Sequence, residues 1–461
     1  MMGTQAKPST RQLLALSTAI VLFAGTAQLR AEKVAGPNPV TEERPGSSDQ
    51  QSAADVGEDQ DRSDAADAKS PSEAAKELQD GADWGMHAPV YPIFQEYCRA
   101  SRVYRSPLLG RLWARGEYLL WGMKGVDLPA LVTTSLLETL EEDAGVLGEP
   151  GTSVLFGDET IYDEMRSGGR FTLGWWWDPR QMGGIEATYF GLPAKALRHH
   201  SEGWGDQIVA RPYLDVEDDE QAAHLVAYPG LLDGSVYVRA DTELQGAEVL
   251  MRSLVLCRPA LRVDLLGGYR FGRLLDRLTI DELSVSLDAD SGYDVDTIIG
   301  RYDLFKSTND FHGGEFGLAA RWSRGCWSVR LSGKVAVGGA TSRVIVDGAT
   351  SIVDDQSGAG YLGGLLALPT NIGYHTDTEF AVLSELGVSL ECQLTCDLRI
   401  SAGYDLLHWN HVGRAADQID LGINPTQIPP ETLVGESRPE FAWRKTDFWA
   451  QGLNISLEQQ F

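Results

Sequence analysis

The sequence predicts an all-β transmembrane protein, an antiparallel up-and-down β-barrel of about 12 strands, with roughly 10 to 14 compatible with the pattern. Three observations predict this fold class. From Trp113 onward, segments of about ten residues alternate apolar and polar side chains, and that length lets a tilted strand cross a membrane. The polar face of these segments repeatedly carries charge. A last segment of the same kind ends the chain on Phe461, and we expect it to close the barrel.

The N-terminus has the pattern of a secretory signal peptide, which we assign to residues 1–27. Lys7 and Arg11 precede the apolar run Leu13 to Ala24, and Gly25 to Ala27 supply the small residues of a cleavage site. The run is too short for a convincing membrane-spanning helix. An N-terminal anchor that stays uncleaved is the alternative.

Residues 28–105 are predicted to form an acidic, disordered periplasmic tail. They are rich in Pro, Ser, Ala, Gln, Asp and Glu and poor in apolar residues, so they cannot bury enough surface to offset the entropy of ordering. Between Glu32 and Gly85, 14 acidic and 5 basic residues give a charge of −9, out of −27 for the whole chain. The remaining domain, residues 106–461, is therefore acidic too. We expect no nucleic-acid partner, because phosphate binding needs a concentrated basic face.

The barrel strands are predicted from two-residue alternation, taken in chain order. They lie near residues 113–123, 168–177, 182–191, 236–256, 259–271, 277–287, 298–307, 311–323, 326–338, 377–391, 396–408 and 446–461. Short and long connections mostly alternate between them, as expected for short periplasmic turns and long outer loops. The pattern has two exceptions, a short outer turn at Gly272 to Leu275 and a long inner stretch after Asp288.

The two faces of each predicted strand have different chemistry. Near residue 265, for example, Leu265 and Tyr269 lie on one face and Asp264 and Arg270 on the other. In a soluble sandwich the charged face would be surface, whereas in a barrel it lines the lumen. The predicted pore-lining residues are Arg170, Glu186, Arg262, Asp264, Arg270, Glu315, Arg321, Arg330, Lys334, Arg399 and Asp405.

Tryptophans cluster near the ends of the predicted strands. Such positions favour an aromatic girdle at the two membrane interfaces, although packing in an ordinary core is the alternative. The tryptophans concerned are Trp113, Trp121, Trp175, Trp177, Trp322, Trp327, Trp409 and Trp449.

The last strand resembles the assembly signal of bacterial outer-membrane barrels. Leu453, Ile455, Leu457 and Phe461 share its apolar face, and the C-terminal aromatic residue is typical of that signal. One residue departs from the pattern, because Gln459 stands where an apolar or aromatic side chain is usual. The resemblance implies that the barrel-assembly machinery is a partner through this strand.

Cysteine and histidine spacing gives no metal site, and we expect no cofactor. The chain has five cysteines but no Cys-x-x-Cys, while a bridge between Cys392 and Cys396 across a tight hairpin is sterically possible. His408 and His411 would point to opposite sides of a strand. No Gly-x-Ser-x-Gly elbow occurs, so we assign no catalytic residues and do not expect an enzyme.

Several segments, in the same order along the chain, resemble the beta-barrel porin-7 family of bacterial outer-membrane proteins. The resemblance runs from about Trp113 to Phe461 and is carried by Gly267–Phe271, Asp303–Phe305, Asn309–Gly314, Lys334–Gly338, Gly403–Leu407, Val412–Arg414, Asp417–Asp420 and Phe448–Leu453. It implies a barrel in the cell outer membrane, an inferred role in transport, and no agreed catalytic residues.

Three functions fit these predictions. The first is a porin-like channel for passive diffusion of small hydrophilic solutes or ions, with outer-membrane lipid and the solutes as partners. The second is a closed barrel acting as a structural anchor or a surface-exposed interaction scaffold, since a lumen of about twelve strands is small enough for its charges to pair and block it. The third, a soluble secreted β-protein, is disfavoured by the strand lengths and the terminal strand.

Overall fold

The computed structural model describes residues 111–461. The predicted signal peptide (1–27) and acidic tail (28–105) lie outside the described residues. The described strands, in chain order, are β1 (Leu112–Met123), β2 (Val126–Leu128), β3 (Val132–Thr134), β4 (Ser153–Phe156), β5 (Glu159–Ile161), β6 (Arg166–Trp176), β7 (Gly183–Gly203), β8 (Val209–Asp215), β9 (Glu220–Ala227), β10 (Leu232–Cys257), β11 (Leu261–Ser286), β12 (Ile298–Arg324), β13 (Trp327–Val353), β14 (Gly358–Leu362), β15 (Gly373–Gln393), β16 (Leu398–Gly413), β17 (Gly422–Ile423) and β18 (Lys445–Gln460). Short 3-10 helices cover Glu141–Asp143, Ala289–Ser291, Ala416–Gln418 and Pro425–Gln427.

Ten of these strands form a closed antiparallel barrel, which confirms the predicted fold class. Their order around the ring is β1, β6, β7, β10, β11, β12, β13, β15, β16 and β18. The C-terminal strand closes the ring as predicted, because β18 pairs with β1 from Gln460 opposite Trp113 to Ala450 opposite Met123. The count of ten lies at the low end of the predicted range. In the described part of the chain, no helix is long and apolar enough to cross a membrane.

The predicted number of about twelve is too high because two strands were each divided in two. The predicted turn at Gly272 to Leu275 lies inside β11, where Gly272 is paired with Gly246 on one side and Phe311 on the other. The predicted break at Thr308 to Asp310 lies inside β12. The predicted bounds assume strands of about ten residues, the length that crosses a membrane. The longest strands here have 26 or 27 residues, roughly 85 Å of chain. Without these false breaks, short and long connections alternate throughout.

The apolar faces of the barrel strands point outward, as predicted. Phe171, Leu265 and Ile455 keep 55%, 49% and 57% of their surface exposed, and Leu331 and Leu453 are exposed as well. Charged side chains alternate with them and turn inward. The outer surface therefore carries an apolar band suited to lipid, and the barrel interior is polar at this level.

The predicted aromatic girdle is only partly correct. Trp177, Trp322 and Trp327 are exposed near the short turns, where an interfacial girdle belongs. Trp121 and Trp409, by contrast, are completely buried inside the barrel. Their positions in β1 and β16 have the same parity as the inward charges, so they fill the lumen and do not contact lipid.

The long connections build a folded layer against the inner face of the barrel strands, at the end opposite the short turns, and we call this layer the platform. It consists of a five-stranded sheet in the order β17, β8, β3 and β4, with β9 paired to β8. Val132, Val209 and Ile423 of this sheet pack in one apolar cluster with Val238 and Phe305 of the barrel strands.

The short turns lie at the opposite, periplasmic end. There Cys392 is a free thiol, so the bridge to Cys396 considered above is not formed.

Candidate functional site: the barrel interior

The predicted pore-lining residues all point into the barrel interior, where they divide into two levels. Arg170, Arg270, Glu315, Lys334 and Asp405 lie near mid-barrel, joined by ion pairs. The remaining residues lie closer to the periplasmic turns, and they are Glu186, Arg262, Asp264, Arg321, Arg330 and Arg399. Two-residue alternation in the sequence predicts these inward positions, since every second residue of a barrel strand faces the lumen.

The mid-barrel level is a set of ion pairs that crosses the lumen. Arg270 Nη1 on β11 lies 2.9 Å from a carboxylate oxygen of Glu385 on β15 and also contacts Glu248 on β10. Lys334 Nζ on β13 lies 2.6 Å from Glu248, 3.2 Å from Glu385 and 3.9 Å from Glu315. Each cation is thus shared by carboxylates from several strands, and the pairs close the space between opposite walls.

Arg170 extends the same network to the strands on the other side. Its guanidinium lies 3.3 Å from Glu117, 3.2 Å from Glu385 and 3.0 Å from Asp405, and Asn454 donates a hydrogen bond of 2.8 Å to Asp405. We call these groups the central ion network: Arg170, Arg270, Lys334, Glu117, Glu248, Glu315, Glu385 and Asp405. Glu117, Glu248 and Glu385 are not among the predicted pore-lining residues, although the inward parity of their strands identifies them.

A second level near the periplasmic turns is dominated by arginine. Arg252 pairs with Glu186 at 3.1 Å and Asp264 at 3.4 Å, and Arg262 pairs with Asp264 at 2.9 Å. On the opposite wall the pairs are Arg321 to Glu391 at 2.8 Å, Arg399 to Glu391 at 3.7 Å and to Glu458 at 2.6 Å, and Arg115 to Glu458 at 2.5 Å. We call Arg115, Arg252, Arg262, Arg321, Arg330 and Arg399 the arginine layer.

On the platform side of the central ion network, the lumen is filled by apolar side chains. Phe311 and Trp409 meet edge to face with 6.1 Å between ring centroids, and Trp121 and Phe190 are 5.9 Å apart. This apolar layer takes a side chain from every barrel strand except β6, and its members are Leu119, Trp121, Met123, Phe190, Leu192, Leu244, Leu274, Phe311, Ala336, Ala340, Ala381, Leu383, Leu407, Trp409, Val412, Phe448 and Ala450. All are buried, so no water-filled path passes this level in the described part of the chain.

The platform end of the barrel is sealed by a loop that folds inward. Leu365 to Leu368 are buried, and the backbone N–H groups of Leu365, Leu366 and Ala367 donate to one carboxylate oxygen of Asp303, at 2.8 to 3.0 Å. A glycine is required beside them, because a Cβ at Gly364 would lie 2.4 Å from the same oxygen. The carboxylate thus holds the loop across the mouth.

Buried charges also fasten the platform to the barrel. Arg211 on β8 pairs with Asp303 at 2.7 Å and Glu282 at 3.2 Å, and its side chain is almost completely buried. His224 on β9 lies 3.1 Å from Glu282 and 2.7 Å from Arg301. Burial and the neighbouring Arg301 guanidinium lower the pKa of His224 below its usual value.

A cavity remains between the central ion network and the arginine layer. Its volume is about 60 Å³, which holds a few waters or one small ion. Arg115 and Arg330 line it together with Ser332, Ser389 and Ser401. Chemically, such an interior can hold ions and bound water, but the apolar layer separates it from the platform side.

A closed ring of ten long antiparallel strands with an apolar outer band identifies the architecture, and comparison with protein families gives the lineage. The family described as "Putative beta barrel porin-7" matches residues 113–461. The chain belongs to this family. The porin-7 match spans the whole barrel and places the protein in the bacterial outer membrane, as the sequence resemblance implied.

Solved structures of other outer-membrane proteins are distantly similar. The outer membrane protease OmpT from Escherichia coli has 10% identity and a TM-score of 0.34, with 78% of this chain and 99% of that chain covered. The toluene transporters TodX of Pseudomonas putida and TbuX of Ralstonia pickettii each have 8% identity, with TM-scores of 0.18 and 0.14; 78% of this chain is covered in both cases, and 91% and 93% of theirs. At these values the activities of those proteins carry no argument for this one. No curated protein matches the chain.

Proposed function

We propose that this porin-7 family member is a closed outer-membrane barrel, which anchors a folded platform at the cell surface and presents it as an interaction scaffold. The apolar layer is the observation that carries this proposal. A permanently open pore needs a continuous polar path, whereas Trp121, Phe311 and Trp409 meet inside the barrel and are fully buried. The central ion network supports the same interpretation, since its inward-facing charges pair with one another and leave few free to contact a solute.

The platform supports the scaffold role. It is tied to the barrel wall by the buried pairs of Arg211 with Glu282 and Asp303, which favours a fixed orientation over a loose loop. A cleft of about 780 Å³ opens on it, with Tyr213, His224 and Ile299 among its lining residues. A rigid surface with a cleft of this size suits recognition of a partner.

Solute permeation tests the closed-barrel proposal. The purified full chain would be folded into liposomes, and swelling would be followed after addition of a small sugar such as arabinose. We expect swelling no faster than in empty liposomes. Swelling that rises in proportion to the amount of folded barrel would contradict the proposal.

A porin-like channel for small hydrophilic solutes or ions is the second candidate. It is favoured by the charged interior and by the family description, but it requires the apolar layer to move aside. Under this candidate Arg262, Arg330 and Arg399 line the path, so changing each to Glu should alter the ion selectivity of any conductance. A conductance with unchanged selectivity would count against that placement.

Two partners follow from the outer surface. Outer-membrane lipid would contact the apolar band that includes Phe171 and Leu265. The barrel-assembly machinery would recognise the C-terminal strand through Leu453, Ile455, Leu457 and Phe461, all of which are exposed on its outer face.

A further inference from the structure

The arginine layer contains more positive than negative charge. Its six arginines face four carboxylates, Glu186, Asp264, Glu391 and Glu458. Five of the six arginines lie within 4.0 Å of one of these carboxylates. The exception is Arg330, which forms no salt bridge or side-chain hydrogen bond with any residue from 111 to 461. Its Nη1 is buried and has no hydrogen-bond partner among them.

The strand register places Arg330 next to further positive charge. Arg330 on β13 is directly opposite Arg321 on β12, and Arg321 is in turn directly opposite Arg262 on β11. Like charges facing each other across strands destabilise a sheet, and a buried charge without a counter-charge is costly. The other direct neighbour of Arg330, Ser389 on β15, supplies no charge. The carboxylate that interacts with Arg330 is Glu391, which is already paired with Arg321 and Arg399, so this corner of the lumen carries more positive than negative charge.

The cavity described above opens at this corner. Ser332, Ser389 and Ser401 line it beside Arg330 and Arg115, and hydroxyl groups and guanidinium groups are both donors to anions. Five carboxylates also line the cavity, and all are already paired: Glu117, Glu385 and Asp405 with Arg170, Glu186 with Arg252, and Glu248 with Lys334. The space of about 60 Å³ limits the guest to a small ion.

We propose that the Arg330 corner of this cavity binds one small inorganic anion of about the size of chloride. The anion accepts from the guanidinium of Arg330 and from the neighbouring serine hydroxyls, and it supplies the counter-charge that Arg330 lacks. The site is separate from the proposed closure and scaffold role, and it holds whether or not the barrel conducts.

Anion-dependent stability tests the site. The full chain in detergent micelles would be unfolded with urea in sodium chloride and in sodium gluconate at equal ionic strength, so that screening is constant and only anion size differs. Binding to the folded state raises its stability by mass action. We expect a higher urea midpoint in chloride for the wild type and for the control Arg198→Gln, which alters an exposed arginine. Arg330→Gln should lose the difference between the two salts.

Two results would overturn the proposal: equal midpoints of the wild type in the two salts, or a chloride effect that persists in Arg330→Gln. If Arg330→Gln does not fold, wild-type crystals grown in sodium bromide provide the second measurement. Anomalous diffraction should then show a bromide peak within hydrogen-bond distance of Arg330 Nη1. Absence of a peak there, with the cavity well ordered, would likewise overturn the site.

Discussion

Arg270 and Glu385 form an ion pair of 2.9 Å between β11 and β15, two strands that are not neighbours in the barrel. Strands β12 and β13 lie between them in the ring, so the pair crosses the lumen and does not follow the wall. Both side chains are nearly inaccessible to solvent. Because such pairs pack the interior, we expect that breaking one of them lowers the unfolding free energy of the barrel.

Removing the charge of Glu385 tests this directly. Glu385→Gln leaves Arg170, Arg270 and Lys334 with fewer carboxylates in a buried site, and breaking buried pairs costs about 3–5 kcal/mol of unfolding free energy. Urea unfolding in micelles measures it. The matched control is Glu379→Gln on the same strand, because the Glu379 carboxylate is exposed and its pair with Lys445 is worth about 1 kcal/mol or less. Equal losses for the two variants would argue against a packed interior.

A charge placed on the outer face should be tolerated poorly. Ile455 is 57% exposed on β18 and is expected to contact lipid, so Ile455→Arg should cost about 2–4 kcal/mol when the barrel is folded into bilayers. The same change at Leu137, which is 52% exposed in a connection beyond the barrel, should cost far less. Folding equilibria in lipid vesicles compare the two. A loss of folding free energy for Ile455→Arg as small as that for Leu137→Arg would mean that this face contacts water.

The platform should weaken as the pH falls. Because burial and Arg301 lower the pKa of folded His224, the unfolded chain binds a proton there more readily than the folded chain does. The contribution of neutral His224 to the unfolding free energy is therefore fully present above the pKa of histidine in the unfolded chain, about 6.5. It decreases as the pH falls through that pKa. Faster hydrogen exchange of β9 amides at pH 5.5 than at pH 7.5, after correction for intrinsic rates, is expected. His224→Gln should reduce this pH dependence of exchange, whereas His200→Gln, a control at an exposed histidine, should keep it. An unchanged pH dependence in His224→Gln would exclude His224 as its source.

The C-terminal residue should matter for assembly more than for final stability. Phe461 is 47% exposed at the end of β18, so Phe461→Ala removes little packing but removes the aromatic end of the predicted assembly signal. We expect less folded barrel in the outer-membrane fraction of cells, measured by heat-dependent gel mobility, and near-normal yield for Phe461→Trp. Normal membrane yield of Phe461→Ala would remove the basis for the signal.

Sequence alternation predicted the barrel wall well, because side-chain direction along a strand is a local property. It placed Arg170, Arg270 and Asp405 inward and Phe171 outward, as the structure has them. The pairing of Arg270 with Glu385 could not be predicted, since it depends on the number of strands and on the register of the whole ring. The two false breaks arose because the alternation says nothing about where a strand leaves the membrane.

The apolar layer was missed for a different reason. In β16 the inward residues change from Asp405 to Leu407 and Trp409 without any change in parity, and in β1 they change from Glu117 to Leu119 and Trp121. The predicted interfacial girdle rests on the position of each tryptophan near a strand end and not on the parity of that position. Parity is the better signal, because it predicts that Trp121 and Trp409 lie inside the barrel, as the structure has them.

Single-channel recording in planar lipid bilayers tests the closed lumen most directly. The purified full chain, shown to be folded by its heat-dependent gel mobility, would be added at increasing concentration in 1 M KCl. A closed lumen predicts a flat current with no conductance steps up to the voltages at which the lipid itself fails. Reproducible, uniform steps whose frequency follows the amount of folded protein would contradict it.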